Sequence, residues 1–286
     1  MSDAHRDAPT IEEVEARVRE TLARHGARAR VAAVLYPLLV AGALAALWEA
    51  ASRLFAIPTF LVPAPSQVAA VLVDKWALLV THGWMSVKEI VLGYLLSIAV
   101  GVPLALAIFL WPAFARSVYP LLVSSQAMPK TAVAPLFVVW FGFGLLPKVL
   151  IAFLIAFFPI VINTAIGLGS IEPEKIHLAR SMGLGPGATF FKIRLPNALP
   201  AVFGGLKIAI TLAVVGAVVG EFVGADAGLG YLLTVANGSM DTPLLFAGLV
   251  GLTVIGVGFF LLVELAERLA IPWYTAPRDP GATGSM

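Results

Sequence analysis

A chain of 286 residues that is 59% hydrophobic and only 13% charged lacks the charge needed to cover a soluble domain of its size. A lipid bilayer removes that requirement, so a mean hydropathy of +0.93 places the chain in a membrane. The net charge of +2 is too small to indicate a nucleic-acid partner, and the zero cysteines exclude disulfides, thiolate metal sites and a thiol nucleophile.

Residues 1–30 form an N-terminal amphipathic segment. Thr10-Ile11-Glu12-Glu13 reads as a capping box, and Ile11, Val14, Val18 and Leu22 make one apolar stripe at helical spacing. Its density of Glu and Arg does not fit a secretory signal. The segment is either a helix lying on the membrane surface or against a partner, or a solvated lead-in.

Six stretches reach the roughly 20 apolar residues a span requires. They are 31–51, 86–111, about 119–143, 148–169, 198–222 and 244–265, the third interrupted by Pro129, Lys130 and Pro135. The expectation is an all-α integral membrane fold with a first span at 31–51 and an external segment at 52–83. A core follows at 84–268, and a tail at 269–286. Within the external segment, Ser66 can cap a short interfacial helix bearing Val68, Val71, Leu72, Trp76 and Leu79 on one face.

Lys and Arg set the orientation. With the N-terminus inside, the internal segments hold 13 of the 19 basic residues, among them Arg24, Arg116, Lys175, Arg194 and Arg268. Arg53, Lys75, Lys88 and Lys148 fall outside, and Lys130 and Lys207 lie within or beside spans, so both termini are expected to be cytoplasmic.

Several residues at membrane depth are candidates for a pathway or gate. Pro129, Pro135 and Pro159 break helices, which marks either a solute path or a simple kink. Asn163 and Thr164 either bond between helices or face the pathway. Gly216, Gly220 and Gly224 repeat every four residues beside Ala209, Ala213 and Ala217, a pattern that lets helices approach closely. Glu221 senses a docked protein, lines an outer gate, or completes packing, and Lys207 snorkels toward the inner surface. No carboxylate cluster is expected within the spans, and His82 and His177 are expected outside them.

The internal loop 170–197 is the most informative segment. Ser170 can cap a helix that tolerates Pro173 and favours Glu172 and Glu174 in its first turn. Gly183 and Gly185 end it, and Pro186 opens a second short helix. Helix, break, helix under the membrane makes a knob suited to a partner's cleft.

Here the chain resembles the permeases of ATP-binding-cassette (ABC) importers. Their cytoplasmic motif is Glu-Ala-Ala, three residues, Gly, nine residues, Ile, one residue, Leu-Pro. Ala179, Gly183, Ile193, Leu195 and Pro196 stand at matching positions, whereas His177 and Leu178 replace the first Glu and Ala. The resemblance extends through His82-Gly-Trp-Met-Ser86, Gly93-Tyr94, Pro129-Lys130, Trp140-Phe-Gly-Phe-Gly144, Phe158-Pro159, Glu221 and Gly228-Leu-Gly-Tyr231 to the nitrate/sulfonate/taurine-type permeases. Glu89, where some members have Arg, is closer to members proposed to carry thiamine-pyrimidine precursors or riboflavin-like compounds.

The resemblance implies a type I ABC importer permease fold with about six spans in the bacterial inner membrane. It implies that Glu174, His177, Ala179, Arg180, Gly183, Gly185, Ile193, Leu195 and Pro196 couple the chain to an ATPase. The implied partners are two ABC ATPase subunits, a second permease copy (a homodimer), a periplasmic or lipid-anchored solute-binding protein, and membrane lipid. No Gly-x-x-x-x-Gly-Lys-Ser/Thr loop occurs in the sequence, so ATP and magnesium are assigned to the partner and no cofactor to this chain. The competing expectation, an ion-driven secondary transporter acting alone, requires an internal repeat and a mid-membrane ion site, and neither is visible.

Overall fold

The computed structural model describes residues 35–274. The predicted amphipathic segment 1–30 and residues 275–286 of the tail lie outside the described residues. Two compact units are divided after Gln67. All regular structure among the described residues is helical.

In the first unit, α1 (Leu35–Leu54) supplies the first span. At its end Glu49 pairs with Arg53 at 2.6 Å. Glu49 also accepts the backbone N–H and hydroxyl of Ser66 at 3.0 and 2.8 Å. Ser66 is therefore not the cap expected of it. Helix α2 (Pro65–Asp74) starts one residue earlier, with Pro65 preset for a first helical position, and the Ser66 hydroxyl is spent on Glu49.

The second unit is built on three long helices, α3 (Trp76–Leu110), α6 (Leu145–Gly169) and α9 (Leu195–Gly224). Helix α3 begins at Trp76 rather than Ser86, because His82 and Gly83 do not break it, so Trp76 and Leu79 leave the predicted interfacial helix. Its 35 residues extend about 52 Å, more than a bilayer's hydrocarbon core. The predicted third span is instead α4 (Pro112–Gln126), a 3₁₀ turn at Lys130–Val133 and α5 (Ala134–Phe141), bent by 88°. Proline at 129 and 135 removes backbone donors at this corner, which accounts for the break. After α6 come α7 (Pro173–Ser181) and α8 (Pro186–Thr189), then a π-helical turn (Phe190–Arg194) leading into α9. A short unpredicted helix, α10 (Leu229–Gly238), precedes α11 (Thr242–Ala270). Five of these helices are long and apolar enough to cross a membrane, six with the bent pair taken as one span.

Helix α6 is the centre, with α3 on one side and α9 on the other. Small residues make the approach possible. A Cβ on Gly93 of α3 would come 2.5 Å from the Cβ of Ala152, and one on Gly216 of α9 would come 2.6 Å from the Ala152 Cα. Ala152, fully buried, is thus pinched between two glycines. Ala209, Ala213 and Ala217 are equally buried in the same cluster with Ile90 and Ile160. Lys207 of α9 pairs with Glu267 of α11. Val68 of α2, Leu79 of α3 and the apolar faces of α10 and α11 form a separate cluster. There Asp241 caps α11 through the Leu244 N–H at 3.2 Å and pairs with Lys75 at 2.8 Å.

Two outcomes follow from this packing. Gly216→Val forces a side chain into α6 backbone that cannot yield, so the detergent-purified protein should lose about 2–3 kcal/mol and melt earlier. Gly258→Ala, where nothing lies within 4 Å, should not melt earlier. The Lys75 hydrogen bond holds the Asp241 carboxyl below the ordinary carboxylate range. Its stabilising contribution is therefore present above that range and is lost as pH falls through the lowered native value. Asp241→Asn should melt earlier than the parent at neutral pH, with the difference closing in acid.

Candidate functional site

Two regions of the second unit concentrate the chemistry, one at each end of α9. At the first, α7 ends in a Schellman motif. Gly183 takes φ +81°, its N–H donates to Arg180 O at 2.9 Å, and the Leu184 N–H reaches Ala179 O at 3.0 Å. Glycine is required there, because a Cβ disfavours that left-handed conformation. Ser170 does not cap α7 as expected. Its hydroxyl donates back to Gly167 O at 2.8 Å, closing α6, and Glu172 occupies the cap position of α7 without a side-chain bond.

The result is a helix-break-helix knob. Ala179 is its buried foot, while Glu174, His177, Arg180, Gly183 and Gly185 are exposed. Leu178 and Met182, 62% and 72% exposed, place apolar surface on the knob beside its charges. A cleft of about 780 Å³, lined by Ile176, Arg180, Leu184, Phe190, Arg194 and Phe109 among others, runs beneath it. The half-buried Ile193, Leu195 and Pro196 form the junction with α9. Arg194 ties that junction to the neighbouring spans, bonding Leu168 O at 3.3 Å and lying over the Phe109 ring at 5.0 Å. From Pro186 to Gly224 the chain is one 39-residue apolar helical run.

At the far end of α9 lies a buried polar cluster. Lys148 of α6 pairs with Glu89 of α3 at 2.7 Å, with side-chain exposures of 5% and 1%. The Lys148 ammonium also donates to Ala227 O at 3.4 Å. Glu221 of α9 is 2% exposed; it accepts the Ser86 hydroxyl at 2.5 Å and the Gly230 N–H. Ser86 in turn accepts the Leu229 N–H at 2.8 Å, and His82 Nδ1 accepts the Gly228 N–H at 3.1 Å. The His82 ring stacks on Tyr231 at 5.9 Å. One ammonium answers one carboxylate, and the second carboxylate faces the positive end of α10.

This cluster corrects three expectations. Lys148 is buried in an ion pair rather than facing solvent. Two carboxylates do lie together within the spans. His82 sits inside α3 rather than before it. The pathway candidates are spread over α5, α6, α9 and the corner before α5. Gly216 and Gly220 face α6, the latter 3.0 Å from the Lys148 Cα if given a Cβ. Asn163 donates to Pro159 O of its own helix at 2.8 Å, and Pro129 and Pro135 flank the 88° corner. Ser86, Glu89 and Lys148 were not candidates from sequence. The available signal was the spacing of His82, Ser86 and Glu89 along one face of a helix.

Residues 97–274 match the family described as binding-protein-dependent transport system inner membrane component. The formylaminopyrimidine transport permease protein of Halalkalibacterium halodurans is 38% identical over 84% of this chain and 96% of its own length. The riboflavin transport system permease protein of Chloroflexus aurantiacus is 40% identical over 55% of this chain and 59% of its own. The taurine transport system permease protein of Escherichia coli is 28% identical over 79% and 85%. Among solved structures, the methionine ABC transporter in an inward-facing conformation superimposes with a TM-score of 0.59. It is 21% identical, over 71% of this chain and 99% of that one, which is a likeness of fold.

Lys148→Met leaves the Glu89 carboxylate buried without its partner. It should destabilise the protein by about 3–5 kcal/mol, and adding Glu89→Gln should restore part of that loss. A double-mutant cycle on thermal unfolding in detergent checks this, since independent sites would give additive losses.

Proposed function

The chain belongs to the family of binding-protein-dependent transport system inner membrane components, and on that premise we propose how its parts work. It is a multi-pass permease component of an ABC importer. In the proposed assembly two copies form the pathway, and two separate ATPase subunits bind and hydrolyse ATP with magnesium. This chain then has no ATPase site of its own and binds no cofactor. A periplasmic or lipid-anchored binding protein delivers the solute to the outer face of the bacterial inner membrane. Both termini are cytoplasmic, a reading supported by the excess of Lys and Arg in the segments assigned inside.

The observation that carries the mechanism is the α7–α8 knob, with its Gly183 break, exposed Leu178 and Met182, and unbroken continuation into α9. ATPase closure pushes the knob through Glu174, His177, Arg180, Gly183 and Gly185. Ala179, Ile193, Leu195 and Pro196 pass that push to α9, and the spans change packing as rigid bodies. Pro129 and Pro135 shape the bent element beside the pathway. Asn163 lies near it in α6, whereas Gly216 and Gly220 hold α9 against α6, and Glu221 works at the outer end of α9.

The solute assigned here is a small nitrogen heterocycle of the formylaminopyrimidine or flavin type. Higher identity to permeases named for those solutes than to the one named for taurine supports it. Thermal-shift screening of the binding protein encoded beside this chain should give stabilisation by such heterocycles and none by taurine. A taurine response would reverse the solute assignment.

Gly183→Val should leave the chain inserted and assembled but abolish most uptake while ATP hydrolysis continues. Uptake at the parental rate in proteoliposomes would contradict the coupling role of the knob.

A further inference from the structure

The cleft beneath the knob holds positive charge that no carboxylate among the described residues answers. Two guanidiniums line it, Arg180 of α7 and Arg194 at the root of α9, and among the described residues that line it there is no Asp or Glu. The Arg180 side chain is exposed and makes no hydrogen bond or ion pair among the described residues. Arg194 donates to Leu168 O at 3.3 Å and lies over the Phe109 ring at 5.0 Å. Those two contacts fix its guanidinium and leave most of its five donors free. On the knob itself, Glu172 is already paired with Lys175 at 3.2 Å.

Guanidiniums donate and do not accept, so the group they select is an anion with several acceptor oxygens, and their planar fork matches a phosphate. The rest of the lining is mainly apolar. The Phe109 and Phe190 rings lie 6.4 Å apart, and those of Phe190 and Phe191 5.2 Å. With Leu110 they make one wall, of which Leu110 and Phe191 are 55% and 67% exposed. The Thr189 hydroxyl is spent on Gly185 O at 3.0 Å. A volume of about 780 Å³ lies within the roughly 300–1,000 Å³ of small-ligand sites. Such a cleft suits a ligand that is anionic at one end and apolar at the other.

Its position suits the same ligand. Leu110 is the last residue of the α3 span, with Trp111 and Phe114 exposed just beyond it, and Pro186 opens the 39-residue apolar run into α9. Aromatic and basic residues at the ends of spans are the composition of a membrane–water interface. In the cytoplasmic leaflet, anionic lipids supply the negative charge that basic pockets between spans recognise. A free phosphate would use the guanidiniums but leave the aromatic wall in water.

We propose that this cleft binds an anionic phospholipid of the inner leaflet, with its phosphate held by Arg180 and Arg194 and an acyl chain laid against Phe109, Leu110 and Phe190. The inference rests on the reading of the chain as a permease whose knob lies on the cytoplasmic side. It goes further by adding a lipid to the coupling joint, because the headgroup bridges the knob and the root of α9.

The test follows thermal unfolding of the full chain in mild detergent, titrated with phosphatidylglycerol, with phosphatidylcholine of the same acyl chains, or with inorganic phosphate. Phosphatidylglycerol should raise the melting temperature saturably, phosphatidylcholine far less, and inorganic phosphate not at all at the same concentration. Arg180→Gln, which breaks no bond in the fold, should weaken the apparent phosphatidylglycerol affinity roughly tenfold, the factor for one charge-assisted hydrogen bond. Arg194→Lys, which keeps the charge but loses the fork, should weaken it less. Equal stabilisation by the two lipids, an equal response to inorganic phosphate, or parental affinity in both Arg180→Gln and Arg194→Gln would each overturn the proposal.

In the assembled transporter in nanodiscs, phosphatidylglycerol with a photoreactive acyl chain should label the segments holding Phe109–Leu110 and Phe190–Phe191. Loss of that labelling on binding of the ATPase would overturn the proposal in favour of the ATPase as occupant. A chain that moved solute without an ATPase would sink the permease reading and leave the lipid titrations standing, so the two failures are distinguishable.

Discussion

Ala152 lies in close contact at the centre of the core, fixed between Gly93 and Gly216 so that three helices meet with almost no side chain between them. In lipid the hydrophobic effect does not drive helices together, because the tails are as apolar as leucine. Association rests on close van der Waals contact, and that contact requires small residues facing one another. Backbone-to-backbone packing of this kind is unforgiving of sliding. It makes α3, α6 and α9 move as one body, or change partners abruptly, and either behaviour suits a machine that switches between two packings.

The polar residues obey the same constraint from the other side. A charge at this depth persists only if it is paired and bonded. Lys148 has Glu89, and Glu221 has Ser86 together with the amino end of α10. At the opposite end Arg194 reaches the Leu168 carbonyl near the end of α6 and the ring of Phe109. Both ends of α9 are therefore tied to neighbouring helices by directional bonds, while its middle is held by glycine and alanine. In the proposed coupling, a push on the knob is delivered along this helix rather than dissipated in a loop.

Much of this is legible in the sequence where the cause is local. The four-residue step of Gly216 and Gly220, the Gly183 break and the Pro129–Pro135 interruption are all written within a few residues of their effects, and the structure has a matching feature at each. What stayed hidden depends on distant partners. Lys148 reads as an outside cation until Glu89, 59 positions earlier, is brought to it, and Glu221 is ambiguous until the Ser86 hydroxyl, 135 positions away, donates a hydrogen bond to it. Ser66 and Ser170 have the chemistry of helix caps, but a carboxylate and a carbonyl nearby compete for their hydroxyls. Lys207 likewise reads as a lone cation until Glu267, 60 positions later, is brought to it. The early start of α3 is not legible because its first turns mix polar residues with apolar ones, as a helix emerging from the bilayer does.

The central claim is that the α7–α8 knob is a lever driven by a second subunit. A photocrosslinker placed at the exposed Met182 in the assembled transporter addresses it most directly. The claim predicts a covalent product with the nucleotide-hydrolysing subunit, formed on the cytoplasmic side and changing in yield when that subunit is trapped with ATP. Labelling of Met182 from the periplasmic side, with no such product, would contradict it.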